Sequence, residues 1–369
     1  MKAYWSRLRY LLWLFLVFSL LFAAYSTLRL SLADWYSSRG SDEGLNRAIQ
    51  LNPANPGYLL RRGAPDDLQA AARLAPSLSA PWIRLALLEE MRGDYSAAEA
   101  SLRQALVRDQ TFAPKWALVN YYFRRRNWPE FWKWSAAGAQ IFTGDLTALF
   151  QLCLRSGASP GEVYSRVVPA RHKARREFLE LLISEKLLAE AAPAAAALAA
   201  DHRPPDLPLL LGFCEQAITA RHSFAARAVW EALHGPAPAI VNGSFHSEPT
   251  GRCLDWTLHP ANGLSIFKSS TGLTLELSGL QPDPWVALHQ PLTIPSGRRC
   301  RLRYRYRASA PLRWRIAGEE SAVFRIGDAR EDEWEFTTRE SARLELLVSR
   351  ATGASRPKGV VVVEWVRLD

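Results

Sequence analysis

Residues 81–110 read PWIRLALLEEMRGDYSAAEASLRQALVRDQ, and this stretch decides the fold class of the first half of the chain. On both sides of the turn Gly93-Asp94-Tyr95, apolar residues recur at i, i+3 and i+4 spacings, which predicts two helices with one apolar face each. The pattern repeats 34 residues later, in the pairs Trp82 and Trp116, Leu85 and Val119, and Ala105 and Ala139. A two-helix unit of this size cannot bury its apolar face alone, so the sequence predicts stacked copies.

The repeated unit resembles the tetratricopeptide repeat (TPR), in which an aromatic and a Leu in helix A, a Gly-Asp-Tyr-like turn, Ala residues in helix B and a closing Pro recur. The resemblance is closest over residues 81–142, and residues 146–168, 172–201 and 206–234 can each be drawn as a further helix pair. It implies an all-α TPR-like solenoid over residues 41–234, with a concave groove in which family members commonly bind extended peptides or partner proteins.

Aromatic side chains are dense in the second copy of the repeat, and they are the candidates for lining such a groove. The candidates are Tyr121, Tyr122, Trp128 and Trp132. The alternative is that these rings form the core between the helices, which is the commoner role of aromatic residues at helical spacing.

An uncharged segment near the N-terminus predicts a membrane helix. Residues 10–28 carry no charged side chain, and at 1.5 Å per residue they span about 28 Å, close to the thickness of the hydrocarbon core of a bilayer. Basic side chains precede this segment, namely Lys2, Arg7 and Arg9. The positive-inside rule therefore places residues 1–9 in the cytoplasm and everything after residue 28 outside, beginning with a juxtamembrane linker over residues 29–40.

These features predict a single-pass protein of a bacterial inner membrane with its bulk in the periplasm. No second segment approaches eighteen apolar residues, since Pro193 interrupts the Ala-rich run 189–200. The alternative is a signal peptide that is cleaved after export, for which Ser31-Leu32-Ala33 offers small residues rather far from the apolar core. A nucleic-acid partner would require a cytoplasmic body, so this topology argues against one.

The composition changes at residues 235–239, because Gly235, Pro236 and Pro238 can continue neither a helix nor a central strand. Residues 240–369 then carry about eight short stretches of alternating polarity separated by turn signals. This pattern predicts an all-β antiparallel sandwich or jelly roll. The chain is thus predicted to be multidomain, with a single transmembrane helix, an all-α solenoid and an all-β sandwich.

The start of this last domain resembles the N-terminal signature of jelly rolls in the family 4/9-like carbohydrate-binding modules. In those modules an Asn-Gly-x-Phe strand start precedes a Trp-containing segment, and here residues 241–245 read VNGSF and residues 254–256 read LDW. The resemblance covers residues 240–369 and implies a jelly roll that binds glycans. Calcium is not carried over, because His246 stands where the modules often have an acidic residue that helps to hold a structural calcium.

A run of alternating arginines over residues 299–307, RCRLRYRYR, carries the most distinctive chemistry of the chain. The period of two puts five Arg side chains on one face of a strand, and Arg313 and Arg315 are expected to extend the row on a neighbouring strand. Guanidinium groups suit carboxylates and aromatic faces stack on sugar rings, so the run predicts a site for acidic sugars or phosphate. The glycan-binding candidates are Arg303, Arg305, Arg313, Arg315, Trp256, Trp285 and Trp334.

The alternative for the arginine run is a salt-bridge ladder. Glu331, Glu333 and Glu335 also alternate, and cross-strand Arg–Glu pairs would neutralise the row. We favour this ladder over a ligand site. Its contribution to stability is expected to be modest, because surface pairs are worth only about 0–1 kcal/mol each.

The four cysteines share no CxxC spacing, which argues against a zinc site. In an oxidising compartment they could pair, and Cys253 with Cys300 is the first disulfide to test because both residues fall in the C-terminal domain. The alternative is four buried, reduced thiols.

The chain contains no P-loop, GxGxxG, GxSxG or HExxH motif, so the sequence predicts no enzyme, no catalytic residue, no cofactor and no metal. A net charge of +10, carried mostly by Arg, favours a partly anionic partner. We expect a non-catalytic periplasmic scaffold and glycan-binding protein that assists the assembly or export of a surface polysaccharide, such as exopolysaccharide or O-antigen. Its TPR groove would bind envelope-assembly proteins, and its sandwich an acidic polysaccharide. The alternative is a pure protein–protein interaction scaffold of an envelope secretion or pilus assembly complex.

Overall fold

The chain forms a helical first unit and a second unit in which helices precede two β-sheets. The computed structural model describes residues 2–339 and 342–369, with side chains from residue 12 onward. The boundary between the two units lies between Gly144 and Asp145. The predicted membrane orientation rests on side chains outside this description, namely those of Lys2, Arg7 and Arg9, and it stays a prediction.

The first helix, α1 (Lys2–Ser38), is 37 residues long and contains the predicted span 10–28. Its part Leu12–Ser38 is long and apolar enough to cross a membrane, a property that signal sequences near an N-terminus share. The helix does not end at residue 28, because the residues predicted as a juxtamembrane linker continue it as far as Ser38.

Packing against the next helices explains why α1 continues. Ala33 is fully buried in a small cluster with Ala48 and Tyr58. The Tyr58 hydroxyl donates a hydrogen bond to the Asp34 carboxylate, and the Arg61 guanidinium donates to the Ser37 hydroxyl at 2.7 Å. The C-terminal turns of α1 are therefore part of the folded first unit.

The helices that follow α1 in the first unit form antiparallel pairs. They are α2 (Asp42–Leu51), α3 (Pro56–Arg62), α4 (Pro65–Leu74), α5 (Ala80–Met91), α6 (Tyr95–Arg108), α7 (Phe112–Arg124) and α8 (Trp128–Ile141). Equivalent side chains begin the second helix of each repeat, since Asp94 accepts from the Ala97 N–H and Asn127 from the Glu130 N–H. The helix pairs predicted from the 34-residue offset are present, and their assignment to the TPR family stays a prediction.

The second unit begins with six more α-helices and one short 3₁₀ turn, Pro204–Asp206. The helices are α9 (Thr147–Arg155), α10 (Pro160–Arg166), α11 (His172–Ser184), α12 (Leu188–Ala200), α13 (Leu207–Thr219) and α14 (Ser223–His234). Asp206 is buried at the start of α13, where its carboxylate lies 2.7 Å from His172 Nε2 and 3.2 Å from an Arg176 nitrogen. This ion pair joins α11 to α13 across the intervening helix.

Ten strands follow in the described part of residues 257–368, which leaves out positions 340 and 341. They are β1 (Thr257–Leu258), β2 (Leu264–Ser269), β3 (Gly272–Ser278), β4 (Trp285–Pro291), β5 (Arg299–Ala308), β6 (Leu312–Ile316), β7 (Glu319–Glu320), β8 (Gly327–Thr337), β9 (Arg343–Val348) and β10 (Lys358–Leu368). They form two antiparallel sheets, which we name the histidine sheet (β1-β4-β9-β6-β7) and the arginine sheet (β2-β3-β10-β5-β8).

Alternation along the strands builds one core between the two sheets. Leu273, Leu275 and Leu277 of the arginine sheet are buried in the same cluster as Leu344 and Leu346 of the histidine sheet. Each of these strands therefore has one face in the core and one face outward. The two antiparallel sheets confirm the predicted all-β sandwich, whereas its jelly-roll connectivity stays a prediction.

Helix α14 is tied to the sandwich within the second unit. Arg227 donates a hydrogen bond to the Thr293 hydroxyl at 2.8 Å and another to the Ala237 carbonyl oxygen. A second ion pair joins Glu215 of α13 to Arg252, which precedes β1. The predicted boundary at residues 235–239 therefore lies inside this unit, and a fragment cut there would lose these contacts.

Candidate binding surfaces

The outward face of β5 carries the five alternating arginines, and each is paired with a carboxylate. The pairs are Arg299 with Glu335, Arg301 with Glu333 and Glu335, Arg303 with Asp369, Arg305 with Glu331 and Glu364, and Arg307 with Glu364. Antiparallel register produces this arrangement, because β5 lies between β8 and β10, which supply the glutamates, and Asp369 directly follows β10. Hydrogen bonds from Arg301 and Arg299 lower the pKa of Glu335, so this carboxylate is charged at neutral pH. The structure thus has the favoured salt-bridge ladder.

Arg313 and Arg315 do not extend this row, and this corrects the prediction. Both lie on β6, which belongs to the histidine sheet, because the chain crosses from one sheet to the other between β5 and β6. There Arg315 pairs with Glu345 at 2.7 Å and Arg313 with Glu320 at 2.9 Å. The predicted glycan candidates are therefore divided between two opposite faces of the sandwich.

The three candidate tryptophans have three different environments. Trp256 is fully buried, with its ring 5.5 Å from Phe245 and 6.0 Å from Trp314, so it is a core residue and cannot stack on a sugar. Trp334 on β8 is half-buried beside Phe336. Trp285 on β4 is half-buried, and its Nε1–H donates to the His259 carbonyl oxygen at 2.8 Å. In the register of β4 and β9, Trp285 lies opposite the buried Val348 and packs against the core, so its ring belongs to the inward side of the histidine sheet.

A polar row that the sequence did not predict crosses the outward side of the histidine sheet, and we name it the histidine face. It consists of Thr257, His259, His289, Glu345 and Arg315. Strand register places His289 opposite Thr257 on one side and Glu345 on the other, and Glu345 lies opposite Arg315. The two imidazole rings stack with centroids 5.0 Å apart, and His259 Nε2 lies 2.8 Å from His289 Nδ1.

The charge state of the histidine face follows from its burial. Burial lowers the pKa of His289 to about 4, and the nearby Arg343 and His259 act in the same direction. His289 is therefore neutral at pH 7, with one ring nitrogen as donor and the other as acceptor. The histidine face offers a neutral imidazole beside an Arg–Glu pair. It therefore presents hydrogen-bond donors and acceptors rather than a surface of a single charge sign.

Of the four aromatic residues predicted to line a groove in the helical unit, the two tyrosines are core residues and the two tryptophans are not fully buried. Tyr121 and Tyr122 are buried, with their hydroxyls donating to the Tyr95 carbonyl oxygen and to Glu99. Burial also raises the pKa of Tyr122. Trp128 and Trp132 contact Phe131, with ring centroids 5.8 and 5.0 Å from it, but Trp128 is 37% exposed and Trp132 is half-buried. The two tyrosines thus hold α7 against α6, and the two tryptophans remain partly open to solvent.

An open groove does exist one helix away, between α5 and α7, with a volume of about 370 Å³ and a mostly apolar lining. Its lining includes Ile83, Leu87, Trp116, Ala117 and Asn120. The Glu90–Arg124 ion pair, at 2.6 Å, closes one end. The lining pairs obey the 34-residue offset, since Ile83 matches Ala117 and Glu90 matches Arg124. This offset was the sequence signal that could have located the groove, which we name the α5–α7 groove.

Comparisons with known proteins assign no family to the chain. No family model matches it, and no curated protein matches it. A solved structure titled "CBM4 structure and function" matches 35% of this chain and 98% of its own length, at 11% identity and a TM-score of 0.29. A likeness at this TM-score decides neither fold nor function. Among the described residues, no group of three or more His, Cys, Asp or Glu side chains could hold a metal ion.

Proposed function

We propose that this chain is a non-catalytic, membrane-anchored scaffold that binds an extended, partly apolar segment of a partner protein in the α5–α7 groove. The groove is the observation that supports this most strongly. Leu87 is 47% exposed on its wall although it is a large apolar residue, and the adjacent lining is apolar as well. Burying such a surface under a peptide side chain is favourable at about 25 cal/mol per Å² of apolar area.

The ends of the groove define the kind of peptide that fits. The Glu90–Arg124 pair supplies one polar end, and the Asn120 side chain, which donates to the Trp116 carbonyl oxygen at 2.8 Å, lies along the wall. A segment with one or two apolar side chains and polar neighbours would satisfy both features. Such a partner would belong to the envelope machinery that the exported body meets.

A photoreactive amino acid placed in the groove tests this function. We expect residue 87 in the full-length chain to crosslink in cells to one discrete protein, and residue 107 to give no such product. Val107 is the matched control because it is 74% exposed on α6 and does not line the groove. Leu87→Glu should abolish the same crosslink from position 117. Identical products from positions 87 and 107, or none from either, would refute the proposal.

A second function, glycan binding, is supported by the histidine face. Neutral His289 and the Arg315–Glu345 pair supply hydrogen-bonding groups, and the stacked rings of His259 and His289 supply an aromatic surface, which is the combination that sugar rings need. The sugar would be a strand of a surface polysaccharide whose assembly or export the scaffold assists. This places the ligand on the sheet opposite to the arginine ladder.

Retention of the detergent-solubilised full chain on neutral and acidic polysaccharides tests this second function. We expect His289→Gln and Arg315→Ser to reduce retention at least tenfold, and Arg303→Ser on the other sheet to leave it unchanged. Equal loss of retention in all three variants would show that the glycan site does not lie on the histidine face. No retention of the unmodified chain would leave the α5–α7 groove as the proposed site of function.

A further inference from the structure

Two of the four cysteines meet where the helices join the sandwich. Cys214 lies on α13, and Cys253 lies in the loop before β1. Both side chains are buried, and their Sγ atoms approach the same acceptor, the Ala226 carbonyl oxygen of α14, at 3.7 and 4.0 Å. The two thiols also interact, because the Cys214 side chain raises the pKa of Cys253. All four cysteines are reduced thiols in this structure.

The neighbours of the two cysteines hold the pair in place. Glu215 follows Cys214 and Arg252 precedes Cys253, and these two residues form an ion pair across the same junction. The loop that carries Cys253 is itself fixed, because the Asp255 carboxylate accepts from both the N–H and the hydroxyl of Thr250, at 2.8 and 2.9 Å. The ion pair and the hydrogen bonds of the loop therefore hold the two thiols near each other.

We infer that Cys214 and Cys253 form a disulfide when the chain folds in an oxidising environment, and that this bond links α13 covalently to the sandwich. The pairing of Cys253 with Cys300 stays the alternative prediction. Cys300 lies on β5 within the sandwich core, opposite Phe336 of β8. The bond would close a loop that contains α14 and the whole segment predicted as a linker.

The reaction is an exchange with a disulfide donor R–S–S–R′. One protein thiol loses its proton and attacks a donor sulfur, which forms a mixed disulfide and releases the first donor thiol. The second protein thiolate then attacks the protein sulfur of the mixed disulfide, so that the Cys214–Cys253 bond forms and the second donor thiol leaves. The two protein thiols are oxidised by two electrons, the donor is reduced to RSH and R′SH, and protons are conserved.

Burial of the thiols determines at which stage of folding the thiol–disulfide exchange can occur. The Cys214 side chain and the apolar surroundings raise the pKa of Cys253, so the attacking thiolate is scarce once the junction has closed. The disulfide should therefore form during folding, before the junction excludes the donor. Once formed, it should be shielded from soluble reductants by the same burial.

The test uses the full chain in detergent, with reduced and oxidised glutathione as the probe. The chain is incubated at pH 8 until a parallel sample shows that iodoacetamide reaches all four cysteines, so that lack of access cannot explain a negative result. Unreduced peptide mapping then identifies the bonds. We expect a linked Cys214–Cys253 peptide, two remaining thiols, and a melting temperature raised by about 5 °C or more relative to the reduced chain.

Matched variants separate this bond from the alternatives. Cys214→Ser and Cys253→Ser should each abolish the linked peptide and the rise in melting temperature, whereas Cys153→Ser and Cys300→Ser should keep both. Four free or glutathione-capped thiols in the folded chain, or a linked Cys253–Cys300 peptide, would overturn the inference. Either result is independent of the crosslinking and retention tests, because neither the α5–α7 groove nor the histidine face contains a cysteine.

Discussion

At the scale of single residues, Trp256 shows how burial decides between two roles of one ring. A Trp at the start of a carbohydrate-module-like sequence is a natural candidate for stacking on sugars. Here the ring is enclosed between Phe245 and Trp314, and its Nε1–H donates to the Asn242 carbonyl oxygen at 3.3 Å. A fully buried Trp contributes through the area it removes from water and through the contacts it fills, and not through a ligand.

Trp256→Ala should therefore destabilise the sandwich by about 3–5 kcal/mol, because the cavity adds to the lost burial. Trp334→Ala is the comparison, since that ring is half-buried and its loss should cost clearly less. Denaturant unfolding of the full chain in detergent, followed by near-ultraviolet circular dichroism, measures both. Unchanged stability together with lost polysaccharide retention would identify Trp256 as a ligand-binding ring.

His289 makes stability depend on pH in a definite direction. Its pKa falls from 6.5 to about 4 on folding, so between these values the unfolded chain binds the proton more tightly. The stabilising contribution is complete above pH 6.5 and is lost as the pH falls towards 4. Allowing for partial exposure, the loss is on the order of 1–2 kcal/mol.

Urea unfolding at pH 7 and pH 5 tests this expectation. The unmodified chain should lose stability between the two values, and His289→Gln should lose less, because the titrating group has been removed. His246→Gln is the control, since it removes an exposed histidine that is not part of the histidine face. An equal slope in all three proteins would show that other groups control this pH range.

At the scale of elements, the arginine ladder shows how neighbouring strands determine the partners of the side chains on β5. The five arginines share one face because side chains alternate along β5, and the acids meet them because β8 and β10 pair with β5 in register. Arg301 and Arg303 remain about half exposed, so water screens their ion pairs. The ladder therefore fixes register more than it adds stability.

Arg303→Ser and Arg305→Ser should each lower the unfolding free energy by less than about 1 kcal/mol. Neither change should alter retention of the chain on acidic polysaccharides, because the guanidinium groups are already occupied by carboxylates. Unfolding midpoints and retention at low and high salt measure both quantities. A salt-sensitive loss of retention would instead make the ladder an anion site.

Local sequence patterns were sufficient to predict the helices and strands. The pairing of strands that are distant in sequence could not be predicted from them. The helices at 81–142 and the alternation of β5 follow from spacings within a few residues, so both could be predicted. The sheet to which β6 belongs depends on where the chain crosses between layers, which no local spacing records. The histidine face was missed for the same reason, since His259 and His289 are thirty residues apart and meet only through the pairing of β1 with β4.

At the scale of the whole molecule, the apolar helix and the α5–α7 groove belong to the first unit, and the sandwich belongs to the second. The buried Ala33 and the bonded Asp34 and Ser37 make the end of α1 a structural part of the first unit. Cleavage after Ala33 would remove one wall of this packing. The proposed membrane anchor would keep this packing.

The intact chain of 41.4 kDa should accordingly be found in the membrane fraction, resistant to extraction by high salt or alkaline carbonate. Intact-mass measurement with N-terminal sequencing checks this. Ala33→Glu is the informative variant, because it should destabilise the first unit without shortening the apolar segment. A mature N-terminus near residue 25 or 34 in the soluble fraction would refute the anchor.

The unbroken course of α1 has a mechanical consequence. A domain on a flexible linker samples many positions above its membrane, so it can bind partners at any height that the linker reaches. At 1.5 Å per residue, residues 29–38 of α1 extend about 15 Å beyond the predicted span 10–28, and the contacts of Ala33, Asp34 and Ser37 fix this part of the helix to the first unit. Where α1 crosses a bilayer, the first unit stands at one height and one tilt, and a partner must present its segment at that level to be bound.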